Sequence, residues 1–347
     1  MRKLQFEAIE TGHADWGHWG ARPEKYSDWT NHSNRLIPVY VFGGDLKQFS
    51  NQNSCYRTAE GLKQVYGYEP TETLNPDANY LDQTDIYRLQ LNAQASGKKN
   101  IILMVFDGMD WQTTQAAAIY RNKSVKYRLG RGTGLAFQDY QGAPTDFGYY
   151  VTSAICGSTQ IDVDHQLVVQ HETRTGGGYS VQRAGNSPWS IAGDRDYLMG
   201  ISNGLKQVVT DSAASATSLC SGIKTYNAAI NVDMDGKPVE SIGRKFQQMG
   251  IKVGVVTSVP ISHATPACAY ANNVSRDDYQ DLSRDLLGLT SIYEREQPLA
   301  GVDVLIGCGG VDKDNDFENQ GKIMFLEIVI YQRTKCNRWQ LRMVGDM

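Results

Sequence analysis

Apolar and polar positions follow three regimes along the chain. Up to residue 97 polar and aromatic side chains dominate, with Gly-rich turns and brief apolar runs such as Leu36–Phe42, which predicts an irregular extension packed on a core. From residue 98 short apolar runs alternate with amphipathic stretches. Asn100–Phe106 (NIILMVF) is a continuous apolar run of the buried-strand kind, and Asp110–Arg121 predicts the helix that follows. Val208–Thr210 predicts a strand, Ser241–Met249 a helix closed by Gly250, Val253–Thr257 a strand, Asp277–Leu287 a helix, and Val302–Ile306 a strand opening onto Gly307, Gly309 and Gly310. The Gly/Thr/Tyr-rich stretch 140–200 predicts loop with short edge elements.

Strands alternating with helices predict an α/β fold with a mostly parallel central sheet flanked by crossover helices. After Asp316 the character changes: IMFLEIVIYQ (323–332) is apolar, and beyond Gly321 the basic Lys322, Arg333, Lys335, Arg338 and Arg342 face only Glu327 and Asp346. The pattern thus divides the chain into an extension (1–97), an α/β core (98–316) and an atypical tail (317–347).

Composition narrows the function classes. With 41% hydrophobic and 21% charged residues over 347 positions, the chain is globular in character and long enough for a sizeable core. A formal charge of -4 supplies no basic footprint, which argues against nucleic acid as a partner. Neither an apolar export segment at the N-terminus nor a run of about 18 apolar residues is visible, so no signal peptide and no membrane partner are expected. Cys55, Cys156, Cys220, Cys268, Cys308 and Cys336 lie far apart, compatible with buried thiols or with one or two disulfides. His13 and His18 in GHADWGHWG match no defensible metal-site spacing and read as loop histidines beside Trp16 and Trp19.

Candidate chemistry begins at KQVVTDSAASATSLCSG (206–222). A β-branched run ends at Asp211-Ser212, and small side chains then run to Gly222, a suitable residue for closing a helix. Taken alone, Asp211-Ser212 is a helix cap. The small residues in the first two helical turns add something: another group can approach the helix N-terminus closely, where free amides and the dipole favour an anion. In an open α/β sheet ligands gather beyond the carboxyl ends of strands. Three predicted strand ends carry oxygen donors here: Asp107, Asp211-Ser212 and the SHATP stretch (262–266). Singly, Asp107 is a cap and Thr265 a turn residue; together they place a carboxylate, a hydroxyl nucleophile and a second hydroxyl on one face, a set suited to hard cations and phosphate.

NIILMVFDGMD, VTDSAASAT and SHATPACAYANNVSR resemble three motifs of the alkaline phosphatase family, in the family's order, with Arg276 thirteen residues beyond His263. The resemblance covers residues 98–310. It implies an alkaline-phosphatase-like α/β fold and a metal-dependent phosphomonoester hydrolase working through a phosphoserine intermediate with Zn2+ and Mg2+. Ser212 would be the nucleophile and a zinc-facing oxygen, Asp107 would bridge a zinc and a magnesium site, and Thr265 would be a magnesium ligand. Arg276 would clamp two phosphate oxygens and Asp211 would hold its guanidinium, while His263 would sit in the outer shell of the magnesium. A small phosphomonoester and inorganic phosphate would be the ligands, a homodimer a compatible assembly, and the periplasm or cell exterior the family's location.

The departures matter equally. The family's later zinc ligands include an Asp-x-x-x-His run, an Asp-His pair and a final histidine, yet none of the six histidines (His13, His18, His32, His165, His171, His263) follows His263. Glu327 comes too soon after Arg276 to stand for the magnesium glutamate and reads as strand filler. The expectation is therefore a partial catalytic domain, incomplete at its C-terminus and truncated by a frameshift or misplaced stop, inactive as this chain. Two alternatives stand beside it: a sulfatase or phosphodiesterase of the same superfamily, for which no modifiable Cys/Ser-x-Pro-x-Arg context is present, and a non-catalytic phosphate-binding protein that keeps the anion pocket without its zincs.

Overall fold

The computed structural model describes residues 34–157, 159–171, 177–198, 209–293, 297–308, 328–333 and 339–343. His13, His18 and Glu327 lie outside them. The chain divides into two compact units: one takes Met1–Asp82, Gly108–Ser153 and Thr175–Thr210, the other Gln83–Asp107, Ala154–Arg174 and Asp211–Met347.

In the first unit, β1 (Ile37–Phe42) pairs antiparallel with β3 (Thr145–Val151), and the short β2 (Leu81–Asp82) runs parallel along the other edge of β3. Helix α1 (Ala59–Tyr66) is capped by the Thr58 hydroxyl, which accepts from the Gly61 amide. Its last residue, Tyr66, enters a buried group of phenols with Tyr56 and Tyr80. There the Tyr56 hydroxyl donates to Asp82 Oδ2 at 2.6 Å and lies 2.7 Å from the Tyr66 oxygen, itself 2.8 Å from Ser153 Oγ. Burial pushes the Tyr56 and Tyr66 phenols well above their ordinary range, so they remain donors and Asp82 the acceptor. Helix α3 (Trp111–Asn122), expected over Asp110–Arg121, starts after its N-cap Asp110, and the short α4 (Val181–Ala184) and α5 (Arg195–Leu198) complete this unit.

The second unit carries α2 (Asp85–Ala95), the antiparallel pair β4 (Thr159–Asp162) and β5 (Leu167–His171), α6 (Ser212–Ser221) and α7 (Ile242–Gln248). It continues with β6 (Gly254–Pro260), α8 (Ala264–Ala267), α9 (Tyr279–Leu287), β7 (Val304–Cys308), β8 (Ile328–Arg333) and β9 (Trp339–Met343). Its apolar core joins Val255, Ile261, Tyr270, Leu286, Leu287, Val302 and Leu305. Gly307 is needed there: a Cβ at that position would meet Thr257 Cγ2 at 2.6 Å and Ile261 Cγ2 at 2.9 Å.

The mixed helix and strand content agrees with the sequence pattern, but a mostly parallel central sheet does not form among the described residues. The larger sheet has the order β6-β7-β8-β9, in which only β6 and β7 are parallel; β8 and β9, from the tail, add an antiparallel hairpin. The Asn100–Phe106 run is not a strand: it lies open, with Ile102 83% and Met104 70% exposed. A continuous apolar run becomes a buried strand only where neighbours take its N–H and C=O groups and layers cover both faces. Among the described residues this run enters no strand pairing and Ile102, Met104 and Phe106 stay exposed. Val209 and Thr210 likewise belong to no strand, and Val208 falls outside the described residues.

An exposed apolar run with unsatisfied strand propensity is a template for association. Replacing Ile102 and Met104 together by Lys should reduce concentration-dependent light scattering while moving the melting midpoint by less than about 2 °C, since neither side chain is buried. Unchanged scattering, or a large drop in melting temperature, would contradict this placement of the run.

Candidate active site

Helix α6 begins where the sequence places it because Asp211 caps it: its Oδ1 accepts from the Ala214 amide at 2.8 Å, and Gly222 closes the helix in a left-handed conformation (φ 70). Small side chains let the helix sink into the unit. Ala213, Ala214 and Ala216 are at most 2% exposed, and the Thr217 hydroxyl donates to the Ala229 carbonyl while accepting from the Asn231 amide. Asn231, fully buried, donates through Nδ2 to the carbonyls of Cys268 and Ala271, both at 2.7 Å. A helix of alanine, serine and threonine is thus fastened by buried hydrogen bonds to the segment that leads from α8 towards Arg276.

These anchors bring the predicted residues together. Arg276 Nη1 lies 2.8 Å from Ser212 Oγ and 3.1 Å from Asp211 Oδ2, with Arg276 a quarter exposed. Among the described residues the other guanidinium nitrogens of Arg276 make no hydrogen bond, which leaves donors for an incoming anion. Asp107, at the end of the open apolar run, accepts from the Thr265 hydroxyl at 3.2 Å, so these two oxygens are neighbours although 158 residues separate them. The His263 ring stacks on Tyr279, with centroids 5.8 Å apart and planes 25° from parallel. Burial, followed by the nearby Arg276 guanidinium, lowers the His263 pKa below its ordinary value, against the opposing pull of Asp107. All of these groups lie in the second unit.

Several participants carry no sequence signal. Asn227 Oδ1 accepts from the Asp211 amide at 2.9 Å, the Ala228 amide donates to Asp211 Oδ2 at 3.0 Å, and the Ala228 carbonyl accepts from the Arg276 amide at 2.7 Å. Tyr279 is missed because a tyrosine in the first turn of a helix ordinarily packs or faces solvent. Asp278, the N-cap of α9, was covered only by the helix boundary; it is buried and accepts from Asn273 Nδ2 at 2.7 Å. An Asn-Ala pair announces no turn, so composition alone could not have pointed to Ala228.

The donor sets can be tested against metals. Asp107 and Thr265 offer two adjacent hard oxygens, which suits a magnesium ion that completes its shell with water. Zinc wants about four protein or water ligands, with histidine and cysteine prominent, and among the described residues no group of three or more His, Cys, Asp or Glu converges. His165 sits elsewhere, paired with Asp162 at 2.9 Å on an exposed turn. Cys220 and Cys268 are buried thiols pushed up in pKa by burial, Cys220 to about 12, which makes them poor ligands at neutral pH.

Comparison with known proteins finds similarity over part of the chain. Residues 186–321 match the family model described as alkaline phosphatase. Alkaline phosphatase 4 of Bacillus subtilis is 39% identical over 101 residues, 29% of this chain and 21% of that protein. The alkaline phosphatase of Escherichia fergusonii is 29% identical over 198 residues, 57% of this chain and 30% of that protein. The chain therefore spans between a fifth and a third of the length of these relatives. Among solved structures, a variant of the TAB5 alkaline phosphatase with Mg bound in its M3 site is 44% identical over 22% of this chain and 22% of its own, with a TM-score of 0.22.

The buried carboxyl of Asp278, two residues beyond Arg276, yields a test of the packing under the site. Burial first, then the Asp281 carboxylate, raises its pKa from the ordinary 3.8 to about 7, against the Asn273 hydrogen bond. Its folded-state value is the higher one, so folding takes up a proton between these values and stability is lost as pH rises from 3.8 towards 7. Asp278→Asn keeps a capping oxygen and removes the charge. It should be more stable than the parent by about 1–3 kcal/mol at slightly alkaline pH and indistinguishable from it below the carboxylate range, as read from melting curves across pH. A difference that does not change with pH would defeat the assignment.

Proposed function

We propose, from the match of residues 186–321 to the alkaline phosphatase family model, that this site binds a phosphomonoester and transfers the phosphoryl group to Ser212. The observation that carries this reading is the 2.8 Å approach of Arg276 to a serine hydroxyl at the head of a helix. A planar guanidinium matches two phosphate oxygens, and the amides opening α6 favour the same anion. In the reaction the Ser212 oxygen gives its proton to solvent and bonds to phosphorus as the P–O ester bond breaks, the departing oxygen taking a proton from water to leave as the alcohol; a second water then attacks phosphorus, which releases inorganic phosphate and returns a proton to the serine oxygen. Asp211 fixes the guanidinium beside that oxygen, and His263, held against Tyr279, borders the site. Asp107 and Thr265 are the residues that would hold a magnesium ion, whose positive charge, when present, lowers the cost of gathering anions there. The described donors do not make a zinc site. A periplasmic or extracellular location follows only from what is usual in the family; among the described residues no helix is long and apolar enough to cross a membrane.

One observation favours a second reading, phosphate binding without turnover: the described residues bring Arg276 to Ser212 but contain no group of three or more His, Cys, Asp or Glu. Titration calorimetry and turnover separate the two. Inorganic phosphate should bind the parent, and Arg276→Ala should weaken it at least about tenfold through loss of a charged hydrogen-bond donor. Slow hydrolysis of p-nitrophenyl phosphate at alkaline pH with magnesium and zinc added, lost in Ser212→Ala, would mark the first reading, and phosphate binding with no hydrolysis the second. Hydrolysis that survives Ser212→Ala would sink the phosphoserine route, and phosphate affinity indifferent to Arg276→Ala would sink both readings.

A further inference from the structure

Besides bonding to each other, Arg276 and the segment that bears Ser212 are both tied to the backbone of one short turn. Ala228 uses its two main-chain groups on the two halves of the site. Its N–H donates to Asp211 Oδ2, the oxygen that also receives Arg276 Nη1, and its carbonyl accepts from the Arg276 amide. One residue earlier, Asn227 receives the Asp211 amide on its side-chain oxygen, while its own amide is pinned to the Cys156 carbonyl. On the other side Ile230 and Asn273 exchange both of their backbone hydrogen bonds, which fixes the exit of the turn. To face both ways Ala228 adopts φ 76, a left-handed conformation that an L-residue with a Cβ rarely takes. The turn itself supplies part of that conformation, closed by the Ala229 amide on the Tyr226 carbonyl at 3.3 Å, and the bonds to Asp211 and Arg276 hold the rest.

We propose that the Asn227–Ala228 turn is a positioning device for phosphate, setting the distance from Ser212 to Arg276 through the backbone of Ala228 and the amide of Asn227. This rests on the reading of the Ser212–Arg276 pair as the phosphate site. Neither residue touches the anion; both act through Asp211 and Arg276.

Substitutions at Ala228 separate positioning from mere stability. Glycine accepts positive φ without cost, whereas a β-branched residue opposes it strongly. Ala228→Gly should therefore bind inorganic phosphate within about threefold of the parent, and Ala228→Val, compared well below its melting midpoint, should bind about tenfold more weakly or worse. A purely structural role would lower the melting midpoint of Ala228→Val and leave the dissociation constant of the folded protein unchanged, so equal affinity in Ala228→Val overturns the proposal. Should that variant fail to fold, Asn227→Ala takes its place, because it removes the acceptor for the Asp211 amide while leaving the main chain free to turn; it too should bind about fivefold more weakly or worse. The Arg276→Ala control keeps the two ideas distinct. Phosphate binding that depends on Arg276 but is indifferent to all three turn variants overturns the positioning role alone, and a parent that binds no phosphate overturns both.

Discussion

The Asp211 carboxylate is the interaction on which the site depends. One oxygen closes the first turn of α6 and the other joins the Arg276 guanidinium to the Ala228 amide. A single side chain thus fixes where the helix begins, where the cation points and how the neighbouring turn is bent. These demands agree because all the donors aim at one anionic group, and charge-assisted hydrogen bonds are the strong ones. Without the carboxylate, the helix would lose its cap and the guanidinium would lose the partner that keeps it beside Ser212.

Around that carboxylate the rest of the second unit is arranged by small residues and buried amides. The alanines of α6 provide close approach, Thr217 and Asn231 convert that approach into fixed hydrogen bonds, and Asn231 passes the constraint to the carbonyls of Cys268 and Ala271. Arg276 follows a few residues later. Its position is therefore a consequence of how α6 packs, and the polar groups inside the unit do for this site what apolar side chains do for the core around Tyr270 and Leu305.

Much of this was legible in the sequence where the signal is local. Asp211 and Gly222 bracket α6 and Ser241 and Gly250 bracket α7, because capping and left-handed closure depend on residues at the ends themselves, and the helix expected over Asp277–Leu287 forms as α9 two residues later at its start. Motif order suggested that Ser212 and Arg276 would meet and that Asp107 and Thr265 would be neighbours, and the structure shows each pair in hydrogen-bond contact. The strand expected over Asn100–Phe106 is the instructive failure. Its apolar pattern was read correctly, but a strand is a property of a ladder, and a run cannot announce which partners it will find. Ala228 was illegible for the opposite reason: its role lies in main-chain groups that every residue possesses.

The long sequence separations within the site have a kinetic meaning. Asp107 meets Thr265 across 158 residues, and Ser212 meets Arg276 across 64. Contacts of that span are closed only after the intervening chain has lost most of its freedom, so they belong to the late side of the folding barrier. An anion gripped by Arg276 and Ser212 would then do little to hasten folding and much to delay unfolding. The lifetime of the folded unit, more than its rate of formation, would follow the phosphate concentration around it.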